Sequence, residues 1–168
     1  MNKLFNQLSE FFEKQGWNHH QHGDKPVIHT QFNGKSGRWM TAAIVHDDEE
    51  SVSFLSFFPS VAMPARRAAV AELLTRINYN LRHGNFEMDF KDGEIRYKTI
   101  HITIAKEIGV EEIKYLVFAN LATVDDHYTA IMNVVHAMMS PVTALAKIKE
   151  ESKPESPDSK HHSRFEVN

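Results

Sequence analysis

The stretch NFEMDFKDGEIRYK, residues 85–98, decides the fold. At its centre Asp92-Gly93 is typical of a two-residue β-hairpin loop, and such a loop fixes the pairing of the strands on either side. The predicted pairs alternate between charged and apolar: Lys91 with Glu94, Phe90 with Ile95, Asp89 with Arg96, Met88 with Tyr97, and Glu87 with Lys98. Each opposite-charge pair stabilises a hairpin by roughly 0.2–1 kcal/mol, and the three charged pairs agree on one register. The stretch therefore predicts an antiparallel hairpin.

Beyond Thr99 the apolar pattern changes face. Ile100, Ile102 and Ile104 fall on the parity that the charged residues of the hairpin occupy before that point. Two explanations are open: a β-bulge that flips the strand, or an outer sheet face that is covered at that end.

Three further strands are predicted upstream, because apolar residues recur there with a period of two. The first runs from about Pro26 to Phe32, the second from Arg38 to His46 and the third from Ser51 to Phe58. Asn33–Gly37 supplies left-handed backbone positions for a hairpin loop, and the acidic residues 47–50 form the next turn. Strands joined this briefly form an antiparallel meander.

Helical spacing of apolar residues predicts the remaining elements. The predicted helices are Asn2–Gln15, a segment that begins at Pro64 and has Gly84 as its C′ glycine, and Ile113–Met138 with a break at the capping box Thr123–Asp126; Ala144–Ile148 adds a turn of helix. The order α-β-β-β-α-β-β-α(α) predicts an α+β domain, an antiparallel sheet with helices packed on it. We expect one domain over residues 1–148 and a disordered polar tail over residues 149–168.

The composition of the 168 residues argues against several classes of protein. Hydrophobic residues make up 42%, which is enough for a core and excludes a wholly disordered chain. Lys and Arg number 19 against 22 Asp and Glu, and the formal charge of −3 argues against nucleic-acid binding. The absence of Cys removes disulfides, thiolate metal sites and cysteine nucleophiles. With no long apolar run and no signal-peptide core, we expect a cytoplasmic protein that binds no membrane.

The predicted sheet has more apolar faces than one layer of helices needs. Six side chains are candidates for a surface completed by another chain, as in a homodimer: Met40, Ile44, Leu55, Phe57, Ile100 and Ile102. The alternative is that the C-terminal segment covers part of that side. Five further residues are candidates for polar contacts with a partner: Arg66, Arg67, Asn78, Tyr79 and Arg96. The simpler interpretation is that they belong to a solvated helix face, a capped helix end and cross-strand pairs.

Candidate chemical sites are few. His19, His20, His22 and Asp24 have the donor types of a metal site. They lie in one predicted loop, Trp17–Asp24, with no spacing that preorganises them, so a solvated His-rich loop is the simpler interpretation. No metal site and no cofactor is predicted. No nucleophile, P-loop or zinc-protease motif occurs, so no catalytic residue is predicted either.

Three pieces of the sequence resemble the YbjN family: RINYNLRHGNFEMDFKDGEIRYK at Arg76–Lys98, GRW at Gly37–Trp39, and Phe58-Pro59. The resemblance extends from about Phe5 to Ala144. Members are described as bacterial sensory-transduction regulators with a type III secretion chaperone-like fold. This implies a non-enzymatic, homodimeric protein that binds other polypeptides in stress or signal-transduction regulation, and it implies no catalytic residues. The alternative is a small-ligand- or metal-responsive regulator that uses the His-rich loop 19–24.

Overall fold

The computed structural model describes residues 3–21, 23, 25–46, 51–102, 108–151 and 166–167. Its elements are α1 (Lys3–Lys14), β1 (His19–Gln21), β2 (Val27–Asn33), β3 (Arg38–His46), β4 (Ser51–Phe57), a 3-10 turn (Pro64–Arg66) that leads into α2 (Arg67–Asn78), β5 (Asn85–Met88), β6 (Ile95–Ile102), α3 (Val110–Val135), α4 (Pro141–Glu151) and β7 (Glu166–Val167). The predicted α+β fold with helices on an antiparallel sheet is confirmed.

The strands form one antiparallel sheet in the order β1-β2-β3-β4-β6-β5, and β7 also pairs with β2. After β4 the chain passes through α2, adds β5 at the edge and returns with β6 between β5 and β4. We call the sheet face that carries Trp39 and Phe54 the inner face, and the face that carries Met40 and Leu55 the outer face. Successive side chains of a strand point to opposite faces of the sheet. The register therefore shows on which of the two faces each strand residue lies.

The described helices pack on the inner face. The core joins the buried side chains of α1, α2, α3 and α4 to inner-face residues such as Trp39 and Phe54. Burying a large apolar side chain of this kind stabilises the fold by about 1.5–3 kcal/mol. Ala42 and Leu55 on the outer face are also buried, yet they do not belong to that core. The molecule therefore has two layers, and among the described residues no helix lies on the outer face.

The β5–β6 hairpin forms, but its predicted register is wrong by two residues. Glu87 pairs with Arg96, so the loop runs from Asp89 to Glu94 and is longer than the predicted Asp92-Gly93 turn. Gly93 holds this wider loop: its N–H donates to Asp89 O at 2.7 Å, and its carbonyl accepts a hydrogen bond of 2.8 Å from the segment before α2. A shift of two residues leaves each side chain on its predicted face.

The change of pattern beyond Thr99 has neither of the two predicted causes. β6 pairs with β4 in one continuous register over Arg96–Ile102, so no bulge interrupts the strand. Ile100 and Ile102 keep to the outer face and are exposed, so the described residues do not cover that end of the sheet.

The predicted break in the third helix is wrong, since α3 runs unbroken from Val110 to Val135. The polar side chains at the expected break have other partners. Thr123 Oγ1 donates to Ala119 O one turn earlier at 2.8 Å, and Asp125 Oδ1 accepts a hydrogen bond of 2.7 Å from Ser36 N in the β2–β3 loop. These side chains therefore do not cap a new helix.

Three glycines have roles other than the predicted ones. α2 ends well before Gly84, which is not its C′ residue but turns the chain into β5 with a φ of +68°. Gly34 and Gly37 in the β2–β3 loop do not have positive φ. A Cβ atom at Gly34 would lie 2.5 Å from the Trp39 ring and from Asp125 Oδ1. Glycine is needed at position 34 because the loop closely approaches α3.

Two described parts of the C-terminal region, the end of α4 and β7, have regular secondary structure within the predicted polar tail. α4 extends to Glu151, beyond the predicted domain limit at residue 148, and Glu166–Val167 form β7 on Phe32–Asn33 of β2. Residues 152–165 and 168 lie outside the described ranges, so the predicted disorder of the tail stays a prediction.

Candidate functional site

The register of the sheet brings the six predicted contact residues together on the outer face. They come in pairs from three neighbouring strands: Met40 and Ile44 from β3, Leu55 and Phe57 from β4, and Ile100 and Ile102 from β6. Met40 lies directly opposite Phe57, and Ile44 and Ile100 both lie opposite Ser53. The six side chains therefore form one continuous group, which we call the outer-face patch.

Five of the six side chains are accessible. Met40 is 48% exposed, Ile100 53% and Ile102 73%, while Ile44 and Phe57 are half-buried. Leu55 is only 6% exposed, so it supports its neighbours and contributes little surface of its own. Contiguous exposed apolar side chains are unusual on the surface of a monomer and are typical of a contact surface.

Small residues separate the bulky members of the patch. Ala42, Ser51 and Ser53 lie on the outer face in the same strands and are buried, so the bulky side chains provide the exposed part of the patch. Its hydrogen-bonding capacity is small, and the Ser53 hydroxyl already lies 3.0 Å from His46 Nε2. Such a surface can bury apolar area, and it offers no arranged nucleophile or acid–base pair for chemistry.

A charged group borders the patch on the side of β5. Glu87 accepts a hydrogen bond of 2.8 Å from Arg96 Nε and forms a second ion pair with Lys98 Nζ. Burial opposes ionisation of the Glu87 carboxyl, but hydrogen bonds from Lys98, Asn85 and Arg96 outweigh it and lower the pKa from 4.5 to about 2. Arg96, a predicted partner contact, is thus engaged within the sheet.

The two helix arginines of the predicted polar site hold the chain itself. Arg66 donates to the Val134 carbonyl near the end of α3 through Nε at 3.1 Å and Nη2 at 2.8 Å. Arg67 donates to Phe90 O at 2.7 Å and to Ala62 O at 3.2 Å, which ties the start of α2 to the β5–β6 loop. Both side chains are used structurally, and the structure does not bring them to the outer-face patch.

The predicted pair at the end of α2 divides into two roles. Asn78 is bonded in both directions to the backbone of Phe86: Nδ2 donates to the carbonyl at 2.9 Å, and Oδ1 accepts from the N–H at 2.8 Å. Tyr79 is 88% exposed and points away from the core. Asn78 therefore closes the edge of β5, and Tyr79 is left as an isolated surface aromatic.

The predicted His-rich loop is partly a strand. His19–Gln21 form β1, with His20 opposite His29 and His19 opposite Thr30 of β2. Thr30 Oγ1 also donates to Asn18 O at 2.6 Å, next to the start of β1. His19 Nδ1 lies 3.0 Å from Trp17 O. His22 and Asp24 lie outside the described residues. Within the ranges that are described, no three His, Asp or Glu side chains are grouped so as to hold a metal ion.

A buried polar cluster under the sheet was not predicted. Trp39 Nε1 donates to Ser56 Oγ at 3.2 Å, and Thr99 Oγ1 donates to the Leu116 carbonyl of α3 at 3.2 Å. The Asn120 side chain of α3 hydrogen-bonds both Ser56 of β4 and Thr99 of β6. The sequence shows Asn120 on the apolar stripe of a helix, and this is the one signal that could have indicated a buried amide with partners on the sheet.

A cavity of about 650 Å³ beside the end of β6 was also not predicted. The loop before β5 contributes Arg82 and His83, β6 contributes His101, and α3 contributes Glu112 and Tyr115. The His83 and Tyr115 rings meet edge to face with centroids 5.3 Å apart. The lining comes from three separate segments that share no motif, so the sequence alone gave no signal for it.

No helix in the described part of the chain is long and apolar enough to cross a membrane.

Comparison with known proteins gives two results and one absence. The model of the YbjN family, described as "Putative bacterial sensory transduction regulator", matches residues 5–132. A crystal structure of YbjN from E. coli, described as "a putative transcription regulator", is similar with a TM-score of 0.54 and 10% identity, over 79% of this chain and 89% of that one. No curated protein matches the sequence. The structural similarity supports the fold, and the family match covers well over half of the sequence; the chain belongs to the YbjN family.

Proposed function

We propose that this protein is a regulator that acts by binding other polypeptide chains, without catalysis, through its outer-face patch. The observation that carries the proposal is the exposure of Met40, Ile100 and Ile102 on one sheet face while helices cover the other. Removing apolar surface from water contributes about 25 cal/mol per Å², so a partner that covers these side chains gains this energy against the entropy cost of association.

Little of the chain is left to cover this patch. The residues outside the described ranges are mostly charged or polar, and the apolar ones among them are Met1, Ile104, Ala105 and Phe165. The C-terminal segment, the alternative cover for that side of the sheet, has the composition of a solvated segment. This supports a second molecule as the source of the missing contacts.

We propose a second copy of the chain as that molecule, which makes the protein a homodimer. Beside the patch, Glu87 is paired with Arg96 and Lys98 on the same face, so its carboxylate is compensated within one copy. Sheets pack face to face at about 10 Å with interdigitating side chains, and the exposed Met40, Ile100 and Ile102 are available for such packing against a facing sheet.

The family description supports the regulatory part of the proposal. We further propose that the dimer binds its polypeptide partner in a chaperone-like manner in the cytoplasm. Apolar contact is the means that the described surface offers for such binding, and the formal charge of −3 disfavours nucleic acid as the partner.

Sedimentation velocity of the full chain tests the proposal. Wild type is expected to sediment as a dimer, and the double variant Met40→Glu with Ile102→Glu as a monomer, because burying two carboxylates in an apolar contact is costly. Val142→Glu is the matched control: Val142 is an exposed apolar residue in the first turn of α4, away from the sheet. Circular dichroism checks that each variant is folded.

Two outcomes contradict the proposal: a wild type that is monomeric at every concentration, and a double variant that remains dimeric. Adding EDTA is expected to leave the dimer unchanged. An assembly that the chelator dissociates would instead favour the metal-responsive alternative, in which residues 19–24 are the site.

A further inference from the structure

β6 and β5 are the last two strands at one side of the sheet, and β6 extends further than β5. β5 is the edge strand, and Asn78 closes its outward side through two hydrogen bonds with Phe86. β5 begins opposite Lys98, so it does not reach the last residues of β6. Gly84, with a φ of +68°, turns the preceding chain out of the ladder. Among the described residues, no strand lies beside β6 beyond Lys98 on that side.

Backbone hydrogen bonds show which groups face this open edge. In an antiparallel sheet the N–H and C=O of one residue point to the same side, and successive residues point to opposite sides. Ile95 O accepts a hydrogen bond of 2.9 Å from the β4 side, and Glu94 O accepts one of 3.0 Å from the β5 side. Even-numbered residues of β6 therefore face the β5 side. The backbone groups of Ile100 and Ile102 point to the open edge, and no described residue hydrogen-bonds them there.

The cavity of about 650 Å³ lies at the same edge, since Ile100 and His101 form part of its wall. Tyr115 of α3 contributes an aromatic surface to it. The charges around it balance in number: Arg82 and Glu112 both line the cavity with opposite charges, and Glu111, which also lines it, is paired with Lys114 at 2.7 Å. An uncharged ligand is the electrostatic complement of such a site.

We infer that this β6 edge, made of the Ile100 and Ile102 backbones and the cavity, binds an extended, uncharged polypeptide segment as an added strand. Alternating donors and acceptors at strand spacing are the complement of extended backbone, and side chains of the added strand on the helix side enter the cavity. The inference rests on the proposed function, since it places the polypeptide partner. It uses the backbone of β6 at Ile100 and Ile102, whereas the outer-face patch uses the side chains of these residues.

At the opposite edge of the sheet, a short segment of this same chain adds to a strand. Two residues, Glu166 and Val167, pair with Asn33 and Phe32 of β2 as β7. β1 pairs with β2 only over Ile28–Thr30, and β7 pairs with the part of β2 beyond it. The β6 edge offers the same backbone geometry together with a cavity for side chains.

Amide exchange in the full-length free protein tests whether the edge is open. The N–H of Thr99 faces β4 and is expected to be protected, whereas those of Ile100 and Ile102 are expected to exchange about 100-fold faster. Equal protection at Thr99 and Ile100 would mean that the edge is already paired, and it would overturn the inference.

Titration with a capped six-residue peptide of alternating valine and threonine then tests binding. We expect saturable NMR shifts and slower amide exchange at Ile100 and Ile102. The control is the same peptide with alternate backbone nitrogens methylated, which keeps the side chains and removes half of the donors. Equal binding of both peptides, or shifts confined to β2, would overturn the inference.

Two substitutions at one position separate backbone from side chain. Ile102→Pro removes an N–H that faces the open edge and no β4–β6 hydrogen bond, so the sheet is expected to tolerate it. We expect it to weaken peptide binding about tenfold more than Ile102→Ala does, because the alanine variant loses the same side chain but keeps the N–H. Equal loss in both variants contradicts strand addition. Peptide binding by a monomeric Met40→Glu variant would show that the edge works even where the outer-face dimer fails.

Discussion

Asn120 Oδ1 on α3 accepts a hydrogen bond of 2.6 Å from Ser56 Oγ on β4, across the interface between the helix layer and the sheet. The amide nitrogen of the same side chain donates to Phe54 O at 2.9 Å and to Thr99 Oγ1 at 3.1 Å. One fully buried side chain therefore joins α3 to two central strands. A buried polar network stabilises a fold when every polar group in it has a hydrogen-bond partner. Removing one partner leaves a buried polar group unpaired, which lowers the stability.

We expect Asn120→Ala to lower the free energy of unfolding by roughly 1–3 kcal/mol, because it leaves Ser56 and Phe54 with buried polar groups that have lost a partner. Urea unfolding followed by circular dichroism measures this. Asn80→Ala is the control, since Asn80 is exposed after α2, and its effect should stay within about 0.5 kcal/mol. A loss at Asn120 no larger than the loss at Asn80 would refute the stabilising role of the network.

Glu87 predicts an acid-dependent part of the stability. Its pKa is lowered from 4.5 to about 2 in the folded chain, so its contribution is complete above about pH 4.5 and is lost as the pH falls toward 2. Because the side chain is 25% exposed, solvent screening limits this contribution to about 1–2 kcal/mol. We expect Glu87→Gln to lose that stability at neutral pH. We also expect its free energy of unfolding to fall less steeply than that of wild type between about pH 4.5 and about pH 2.

Unfolding free energies at a series of pH values check the Glu87 prediction. Glu10→Gln is the matched control, since Glu10 forms an exposed pair with Lys14 at 3.7 Å and should contribute little. Parallel pH profiles for wild type and Glu87→Gln would be incompatible with the lowered pKa.

His127 predicts a second pH dependence at milder acidity. Burial lowers the pKa of this imidazole below 6.5, although the hydrogen bond to Thr123 O and the charge of Asp126 act in the other direction. The folded chain binds the proton less well than the unfolded chain, so the stability is present above about pH 6.5 and falls below it. We expect His127→Gln to reduce the loss of stability between about pH 7.5 and about pH 5.5.

Thermal unfolding at those two pH values measures the His127 effect. His20→Gln serves as the control, because His20 is exposed on β1. If both variants change the pH dependence equally, the effect does not come from the buried ring.

Gly34 predicts a packing limit at the β2–β3 loop. A Cβ atom there would lie 2.5 Å from Trp39 and Asp125, so we expect Gly34→Ala to cost about 1–3 kcal/mol of stability. Ser36→Ala is the control, since the hydrogen bond to Asp125 comes from the backbone N–H of Ser36 and survives the change. Chemical unfolding compares the two, and an unchanged stability for Gly34→Ala would contradict this close approach.

Local patterns in the sequence predicted the parts of the molecule that are decided locally. Alternation located β2, β3 and β4, and since parity along a strand is a local property, it also placed the six residues of the outer-face patch on one face. The turn at Gly93 was recognised, but its register depends on a hydrogen bond from Ala62, which is distant in sequence. Patterns within one strand carry no information about such a contact.

The parts that the sequence did not predict have their partners elsewhere in the chain. β1 exists because His19–Gln21 pair with β2, and the sequence there shows a polar run with no alternation. α3 continues through Asp125, whose side chain accepts a hydrogen bond from Ser36 in the distant β2–β3 loop and does not cap a new helix. The cavity beside β6 combines three segments in the same way. Each was missed because its cause is tertiary.

Asn78 occupies the outward-facing hydrogen-bonding groups of Phe86 on the edge strand β5. With its amide in place of a neighbouring strand, the backbone of Phe86 offers no template on which a foreign chain could polymerise. Loss of that amide, as in Asn78→Ala, would expose a fresh pairing site next to an apolar core, and the expected sign is fibril formation on prolonged storage while the folded spectrum is retained.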